Sequence, residues 1–384
     1  MFSATIVLVL TLFLSSGNCA PSQQSCTVNS LSAFETANGP VEVDTNPLHA
    51  FESPKIPAIN STTSEYWYFD SVSTDGTAGA AITFFRDPVL AYLGQGNLRV
   101  MTEAVWSNGT RFSDTVFVED SCITVCGGET TGVWSSPSKN TDFTFKISKD
   151  SKTVDIAVSS PLVTGTFRLT SNTPARYPHG ETFPSRDASV ALAPEFWWNE
   201  PIPSGTAHVS LRLGDTPFEI ESGVGGHERN YGSGDYVVLA KSWSWMRFAA
   251  GPYTMVLWSW TSAIDGLYYP SAFLAKNDKV IFTATHSVEH PTEKFVVLRE
   301  VLGPPGVHGT FGNDSPGWDV FLVDPKSLTQ YYFSEQHKNI MFEAPHGQPD
   351  EYTRFVGTVT FTAPDQTFMK GVSIGEQSFI RPTK

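Results

Sequence analysis

The sequence carries little charge, and most of that charge is acidic. Its 384 residues include 25 Lys and Arg against 39 Asp and Glu, which gives a net charge of −14, and charged residues make up only 17% of the chain. Proteins that bind nucleic-acid phosphates or anionic lipid headgroups neutralise them with an excess of Lys and Arg, which this chain lacks. We therefore expect neither nucleic acid nor an anionic membrane surface as a partner.

Long apolar runs are absent after the first twenty residues. Residues 1–20 carry no charged side chain and centre on a short apolar run at 6–14. The run is shorter than a membrane span, so we predict a secretory signal peptide at 1–20, with an uncleaved N-terminal anchor as the alternative because basic residues are missing. Asn60, Asn108 and Asn313 begin N-glycosylation sequons, which agrees with a location in the secretory pathway or with secretion.

Cysteine is scarce, with four residues in the whole chain. Three of them, Cys26, Cys122 and Cys126, follow the predicted leader, and they are too few and too scattered for a zinc–thiolate site. Cys122 and Cys126 are four residues apart, so an oxidising compartment allows a small disulfide loop between them. Two buried free thiols are the alternative.

Several catalytic motifs are also missing. The sequence has no Gly-rich phosphate loop, no dinucleotide fingerprint and no nucleophile elbow. His286 and His290 would share one face of a strand, but no Glu accompanies them in the zincin arrangement, so we predict no metal site there. A metal site that draws on His227, His337 or His346 from separate loops is left open.

Aromatic residues are abundant, at 13%, and many segments alternate apolar and polar residues with a period of two. Residues 142–148 and 153–158 alternate on either side of a short polar connection and predict a hairpin, and residues 208–213 and 358–362 repeat the pattern. Val, Thr, Phe, Tyr and Trp dominate these segments and favour a pleated sheet. With 30 Gly and 26 Pro to form turns, the chain is predicted to be all-β.

The length suggests two β domains side by side, built as sandwiches or barrels. We place the boundary near Ser222-Gly223, which divides the chain after the leader into residues 21–222 and 223–384. The Pro-rich segment 174–203 interrupts the strand pattern and is predicted to be a long ordered loop that reaches towards the junction of the domains.

The densest polar cluster is Gly-Gly-His-Glu-Arg-Asn-Tyr-Gly at residues 225–232. Glycines let the backbone turn sharply and approach a ligand closely. A carboxyl group surrounded by aromatic rings loses solvation, so its pKa rises and it can deliver a proton near neutral pH. Glu228 is the candidate for this general acid, with His227 beside it. A solvated turn with a surface pair between Glu228 and Arg229 is the alternative.

Two aromatic stretches, at residues 64–70 and 194–201, combine rings with carboxylates. The π faces of such rings can stabilise a cation, which suits a pocket where an apolar substrate passes through a carbocation-like state. Core packing of strand aromatics is the alternative. A further set of tryptophans recurs at every second position and is predicted to form the core or a pocket wall: Trp243, Trp245, Trp258 and Trp260.

Together these motifs resemble the hydroxyneurosporene synthase family, which includes carotenoid 1,2-hydratases and fungal Diels–Alderases. Residues 65–70 with Asp-Gly at 75–76 are similar to the Trp-Tyr-Phe-Asp…Asp-Gly opening of the family, and residues 227–232 are similar to its His-Asp-His-Asn-Trp-Gly motif. Gly-Pro-Tyr at 251–253 is similar to a segment of the decalin-forming Diels–Alderases. The resemblance implies a sandwich-like N-terminal domain and a lipocalin-like C-terminal barrel, with the pocket at their interface.

The resemblance also implies a reaction. The aspartate that protonates an alkene in the hydratases is replaced by Glu228, and Arg229 and Tyr231 depart from the motif, which argues against carotenoid hydration. The chain most resembles the fungal quinolone epoxide rearrangement proteins. That resemblance implies acid-catalysed rearrangement of a prenyl-derived epoxide to an aldehyde or a cyclic ether in alkaloid biosynthesis. Because this reaction is an isomerisation, we expect no cofactor.

On this hypothesis Glu228 protonates the epoxide oxygen or shares a proton with His227, and Asp70 or Glu195 accepts the proton that is lost later. The expected partner is an apolar small molecule such as a prenylated quinolone epoxide. Neighbouring residues would hold it and exclude water: Tyr66, Trp67, Trp197, Trp198, Asn199, Arg229, Asn230 and Tyr231. Two alternatives stay open, a pericyclase that acts by shape and a few hydrogen bonds and a non-catalytic lipocalin-like carrier of an apolar metabolite.

Overall fold

The computed structural model describes most of the chain after the predicted leader. The described residues are 26–285, 292–301, 306–310, 315–345 and 351–379. The predicted signal peptide at 1–20, the sequon residue Asn313 and the candidate metal ligands His286, His290 and His346 lie outside them.

Thirteen antiparallel strands form the first sheet. They are Thr27–Ser32 (β1), Ser64–Ser73 (β2), Gly79–Arg86 (β3), Leu98–Val105 (β4), Arg111–Phe117 (β5), Asp120–Cys126 (β6), Glu129–Ser136 (β7), Thr141–Ile147 (β8), Thr153–Ser159 (β9), Val163–Ser171 (β10), Ala191–Ala193 (β11), Phe196–Leu213 (β12) and Thr216–Gly232 (β13). Their order across the sheet is β1-β6-β7-β8-β9-β10-β12-β13-β2-β3-β4-β5, and β11 pairs with β12.

Nine antiparallel strands form the second sheet, in the order β17-β16-β15-β14-β22-β21-β20-β19-β18. They are Ala240–Ala250 (β14), Tyr253–Ser262 (β15), Tyr268–Lys276 (β16), Lys279–Ala284 (β17), Phe295–Glu300 (β18), Gly317–Asp324 (β19), Thr329–Pro345 (β20), Glu351–Thr362 (β21) and Phe368–Phe379 (β22). One short α-helix, Tyr236–Leu239 (α1), connects the sheets, and two 3₁₀ turns lie at Ala91–Leu93 and Pro137–Lys139. Within the described residues no helix is long and apolar enough to cross a membrane.

The all-β prediction is confirmed, since the first sheet curls into a half-barrel and the second into a nearly closed barrel. The predicted hairpin is β8 and β9, in which Phe143 pairs with Val158. Buried and partly exposed residues alternate along β8, as expected for a strand with one face on the core.

The three largest apolar clusters of the described residues lie in and between the two sheets. The first fills the concave side of the first sheet and includes Trp67, Phe69 and Trp134. The third fills the second barrel. The middle layer is built from side chains of both sheets, including Trp198 and Trp258, so it joins the sheets into one structure. Glu228 and Arg247, described below, lie beside this middle layer.

The division predicted after residue 222 falls inside β13, because the first sheet continues to Gly232. The sequence predicts a turn at Gly225 and Gly226, but both residues lie within β13. Their missing side chains let neighbouring groups approach the strand closely. A Cβ atom on Gly225 would overlap the carbonyl oxygen of Asp70, and one on Gly226 would overlap the Arg247 guanidinium. The change of sheet therefore occurs between Gly232 and Ala240.

One disulfide joins Cys26 to Cys126, with a Cα–Cα distance of 4.5 Å, and none of the described cysteines is free. The predicted loop between Cys122 and Cys126 is therefore wrong. Both of these residues lie on β6, where four residues of extended chain span about 13 Å, too far for a disulfide. Strand β1 instead pairs with β6, with Thr27 opposite Val125, and brings Cys26 beside Cys126.

Candidate active site

Strand β13 distributes the predicted polar cluster over two opposite faces. Glu228 and Asn230 point towards the second sheet, where Glu228 contacts Arg247. His227 and Arg229 point into the first sheet, because successive side chains of a strand alternate in direction. Glu228 and His227 therefore do not meet, and the hypothesis that they share a proton has no support in the structure.

Arg247, on β14 of the second sheet, contacts three acids of the first sheet. Its Nη1 donates to Asp70, and its Nη2 lies 3.1 Å from Glu228 Oε1 and 3.5 Å from Glu200 Oε2. Its Nε donates to the Pro203 carbonyl oxygen at 2.7 Å. All four side chains are buried. The missing side chain of Gly226 leaves the space that the guanidinium occupies.

The buried carboxyl groups have raised pKa values. Burial, together with the neighbouring Glu200, raises the pKa of Glu228 well above its usual range, and Arg247 opposes the shift. Burial raises the pKa of Glu200 to about 7. Burial also raises the pKa of Asp70, although Arg247 lowers it. Glu200 and Glu228 are neighbours, because both lie against the same Arg247 nitrogen, Nη2, and neither Glu200 oxygen has a hydrogen-bond partner among the described residues. Two carboxylates have no donor between them, so a contact between these acids requires a proton.

A second buried arginine, Arg354 on β21, lies on the other side of Tyr68. It contacts Glu103 of the first sheet, and its Nη2 lies 2.8 Å from Glu376 Oε2. The Trp243 indole N–H donates to Glu376 Oε1 at 3.2 Å. The Arg354 guanidinium lies 4.8 Å from the ring centroid of Tyr68, so this phenol is next to a cation.

Aromatic side chains surround these charges. The Trp198 ring packs edge-on against Trp258 with centroids 5.1 Å apart, and Tyr68 packs edge-on against Trp245 at 5.6 Å. The Trp198 N–H donates to Glu228 Oε2 at 3.0 Å. Other buried donors of this layer have no hydrogen-bond partner among the described residues: the Tyr68 hydroxyl and the indole N–H groups of Trp245, Trp258 and Trp260.

Such partnerless donors point to a ligand. An unpaired buried polar group costs about 1–3 kcal/mol, and native proteins keep few of them. Four donors in one aromatic layer suit an apolar molecule that carries acceptor oxygens. We call this region the intersheet site, and it is defined by Asp70, Tyr68, Trp198, Glu200, Glu228, Trp245, Arg247 and Trp258.

Helix α1 closes one end of the aromatic layer. The Tyr236 ring stacks on Tyr66 at 5.3 Å and lies 5.1 Å from Trp243. Asn230 hydrogen-bonds to Tyr236 from β13. The Asp235 carboxylate caps the helix by accepting from the Val238 N–H at 3.0 Å. The predicted substrate-binding residues Tyr66 and Asn230 thus face the same layer as Glu228.

The remaining predicted residues of β13 serve the first sheet instead. His227 Nε2 lies 3.1 Å from both carboxylate oxygens of Glu52, and its ring stacks on Phe69 at 4.0 Å. Arg229 Nη2 lies 2.5 Å from Glu65 Oε1, and the guanidinium lies 3.7 Å from the ring centroid of Trp67. His227 thus binds Glu52 of the loop before β2, and Arg229 binds Glu65 of β2. Both contacts lie on the face of β13 opposite Glu228.

Tyr231 lies on that same face, away from the intersheet site. The Asn199 amide donates to the Tyr231 hydroxyl at 3.1 Å, and the Trp197 ring stacks on Tyr231 at 6.0 Å. Glu195 is exposed at a turn with φ of 61° and accepts a hydrogen bond from Ser233. Glu195 is therefore not among the buried acids around Arg247, and its role as proton acceptor stays a prediction.

The structure adds functional candidates that the sequence analysis did not single out. Arg247 continues the alternating pattern of Trp243 and Trp245, so a cation on the buried face of a tryptophan-rich strand is the signal that could have found it. Glu200 lies two residues after Trp198 on β12, in the same acidic and aromatic stretch. Tyr68 lies between Tyr66 and Asp70 on one face of β2.

Comparison with known proteins gives a consistent family. A family model described as Diels-Alderase-like matches residues 23–380. Diels-Alderase poxQ of Penicillium oxalicum is 35% identical over 335 residues, covering 87% of this chain and 74% of the relative. Diels-Alderase cheD of Chaetomium globosum is 36% identical over 370 residues, covering 96% and 84%.

Solved structures share the fold. CghA in complex with Sch210972 superposes with a TM-score of 0.80 at 20% identity, covering 93% of this chain and all of CghA. Kievitone hydratase from Nectria haematococca superposes with a TM-score of 0.52 at 11% identity, covering 91% and 98%. At these identities the likeness is one of fold.

Proposed function

The chain belongs to the Diels-Alderase-like family, and we propose that it catalyses the intramolecular Diels–Alder cyclisation of a polyene in fungal secondary metabolism. The curated relatives are named Diels-Alderases. The observation that carries the proposal is the set of partnerless donors in an aromatic layer between the two sheets. Polyene chains need aromatic walls, and an activated alkene needs hydrogen-bond donors at its carbonyl group.

The chemistry needs no cofactor. In the cycloaddition a conjugated diene and an alkene form two carbon–carbon σ bonds, and no atom leaves. The protein supplies two things, a folded substrate conformation and donors that withdraw electrons from the alkene through its carbonyl oxygen. The free hydroxyl of Tyr68 and the free indole N–H groups of Trp245 and Trp258 suit the second role.

A synthetic linear polyene with a carbonyl-conjugated terminal alkene tests the proposal. We expect the purified protein to give one diastereomer faster than buffer does, because one folded conformation is held. Tyr68→Phe should slow the reaction about 10- to 100-fold, since it removes one donor. Tyr92→Phe is the matched control, because Tyr92 is 80% exposed. A product ratio equal to that in buffer would refute the cyclase proposal.

The acid-catalysed rearrangement of a prenyl-derived epoxide is a second candidate, supported by the buried pair Glu200 and Glu228 beside Trp198. Glu228 would protonate the epoxide oxygen as the C–O bond breaks, and a hydrogen shift or attack by an internal hydroxyl would give an aldehyde or a cyclic ether. Incubation with a prenylquinolone epoxide separates this function from cyclisation. Binding without conversion of either compound would indicate a carrier.

We also propose that the protein enters the secretory pathway, which the Cys26–Cys126 disulfide supports. Asn108 is exposed, whereas Asn60 is buried and donates from its side-chain amide to the Gly39 carbonyl oxygen at 3.0 Å. A glycan on Asn60 would break that hydrogen bond. Asn108→Gln should therefore remove a glycosidase-sensitive mass shift that Asn60→Gln leaves in place, and a shift that depends only on Asn60 would contradict this assignment.

A further inference from the structure

The intersheet site contains proton-transfer groups that a cycloaddition does not use. The cyclisation moves no proton, yet Glu200 and Glu228 are buried there, both lie against Arg247 Nη2, and the Glu200 oxygens have no hydrogen-bond partner among the described residues. An exposed carboxylate keeps its hydration, so it does not destabilise the fold. A buried carboxyl group is stable only when it is paired with a cation or protonated. The pair therefore needs an explanation beyond the aromatic layer that surrounds it.

The charges around the pair show that it must retain a proton. Arg247 is the cation within 4 Å of Asp70, Glu200 and Glu228 in the described part of the chain. Arg354, further along the layer, is engaged by Glu103 and Glu376. Two guanidinium groups thus face five carboxyl groups, and their charge cannot balance five buried carboxylates.

The contacts assign different roles to the two acids. Glu228 is held by the Trp198 N–H on Oε2 and by Arg247 on Oε1, so it has a fixed position. Burial and the neighbouring Glu200 keep the pKa of Glu228 well above that of an ordinary carboxyl, whereas the pKa of Glu200 is about 7. Two neighbouring groups with separated pKa values act as an acid and a base.

We propose that this site also catalyses keto–enol proton exchange at the carbon next to the substrate carbonyl, with Glu200 as the base and Glu228 as the acid. The inference rests on the proposed cyclase function for the substrate class, an apolar polyene that carries a carbonyl group. The activity is separate from the cyclisation and redox-neutral.

The step balances in atoms and charge. The Glu200 carboxylate takes a proton from the α-carbon, and the electrons of that C–H bond form a C=C bond as the carbonyl π electrons move to oxygen. The oxygen receives the proton of Glu228. Proton transfer between the two neighbouring acids then returns the proton from Glu200 to Glu228, and Arg247, which lies against both, stabilises the developing negative charge.

The position of the pair suits this role. Trp198, which donates to Glu228, packs against Trp258 with ring centroids 5.1 Å apart. The Trp258 N–H is one of the partnerless donors. A carbonyl oxygen bound by this N–H thus lies in the same buried layer as both carboxyl groups.

Deuterium incorporation tests the proposal. A linear polyenyl ketone with an α-methylene group would be incubated with the protein in D₂O, and α-deuterium and cyclised product would be measured in the same sample. We expect incorporation at least 10-fold faster than in buffer, and at least a 10-fold loss of it in Glu200→Gln and Glu228→Gln. Glu129→Gln, on the surface, is the matched control and should behave as the unmodified protein does.

The outcomes separate the two proposals. Cyclised product without deuterium above the buffer level overturns the proton exchange and leaves the cyclase function standing. Deuterium without cyclised product supports the exchange and removes the cyclase function. An infrared measurement keeps the test independent of the probe. Near pH 8, where Glu200 with its pKa of about 7 is mostly ionised, the protonated carboxyl band of the unmodified protein should lose intensity in Glu228→Gln. Equal intensity in the two proteins overturns the proposal.

Discussion

Glu228 Oε1 lies 3.1 Å from Arg247 Nη2, and this contact joins the last strand of the first sheet to the first strand of the second. The two residues are 19 positions apart in the chain. Their contact brings a buried acid pair to the aromatic layer that both sheets share. The two sheets are therefore joined by buried ion pairs as well as by apolar packing.

Loss of Arg247 should destabilise the protein strongly. Arg247→Gln leaves Asp70, Glu200 and Glu228 without their cation, and breaking a buried pair costs about 3–5 kcal/mol. Urea unfolding at pH 7 measures the effect. Arg168→Gln is the control, because its pair with Asp155 is 58% exposed on both sides and should be worth less than about 1 kcal/mol. Equal losses in the two variants would contradict the role of Arg247.

A methyl group at position 226 should act through Arg247. In Gly226→Ala the new Cβ would overlap the guanidinium, and overpacking of a buried site costs about 1–3 kcal/mol. In the double variant with Arg247→Ala the clash partner is gone, so the combined loss should be smaller than the sum of the single losses. Strict additivity in thermal or urea unfolding would show that the two residues do not interact.

Glu200 should make the protein less stable as pH rises. Its pKa is raised from 4.5 to about 7 in the folded state, so the folded protein binds a proton that the unfolded chain releases earlier. This stabilisation is fully present below pH 4.5 and is lost as pH rises through 7, a change of about 3 kcal/mol. Unfolding measured from pH 5 to 8 should show this decline, and Glu200→Gln should flatten it. An unchanged slope would argue against a buried protonated Glu200.

Removal of the disulfide should be costly. Cys26 and Cys126 are 100 positions apart, and closing a loop of that length restricts the unfolded chain by about 4–5 kcal/mol in the chain-entropy model. Cys26→Ser should lower the free energy of unfolding by roughly that amount. A loss below about 1 kcal/mol would show that β1 is held by its strand pairing alone.

The sequence predicts the fold class well, because alternation along segments such as β8 directly reports one buried face. It also predicts Glu228, Asp70 and Trp198 as site residues, and the structure buries all three, with the two acids on Arg247 and Trp198 on Glu228. It does not predict Arg247 as their partner, since that contact depends on how two sheets pack. The same alternation, applied to His227 and Glu228, already places these neighbours on opposite faces. The sequence does not predict the Cys26–Cys126 disulfide, because that pairing depends on which strand lies beside β6.

Strand β13 separates two sets of charged groups. The His227 imidazole and the Arg229 guanidinium lie on one face, and Glu228, with its neighbour Glu200, lies on the other. A substitution in β13 changes one side chain, whereas an insertion or a deletion moves every following side chain to the opposite face. Deleting one residue near Val224 would slip the register, move His227 into the aromatic layer and bury Glu228 against Phe69. Chains of this family that differ in length should therefore gain or lose residues in the turns, while this strand keeps its count.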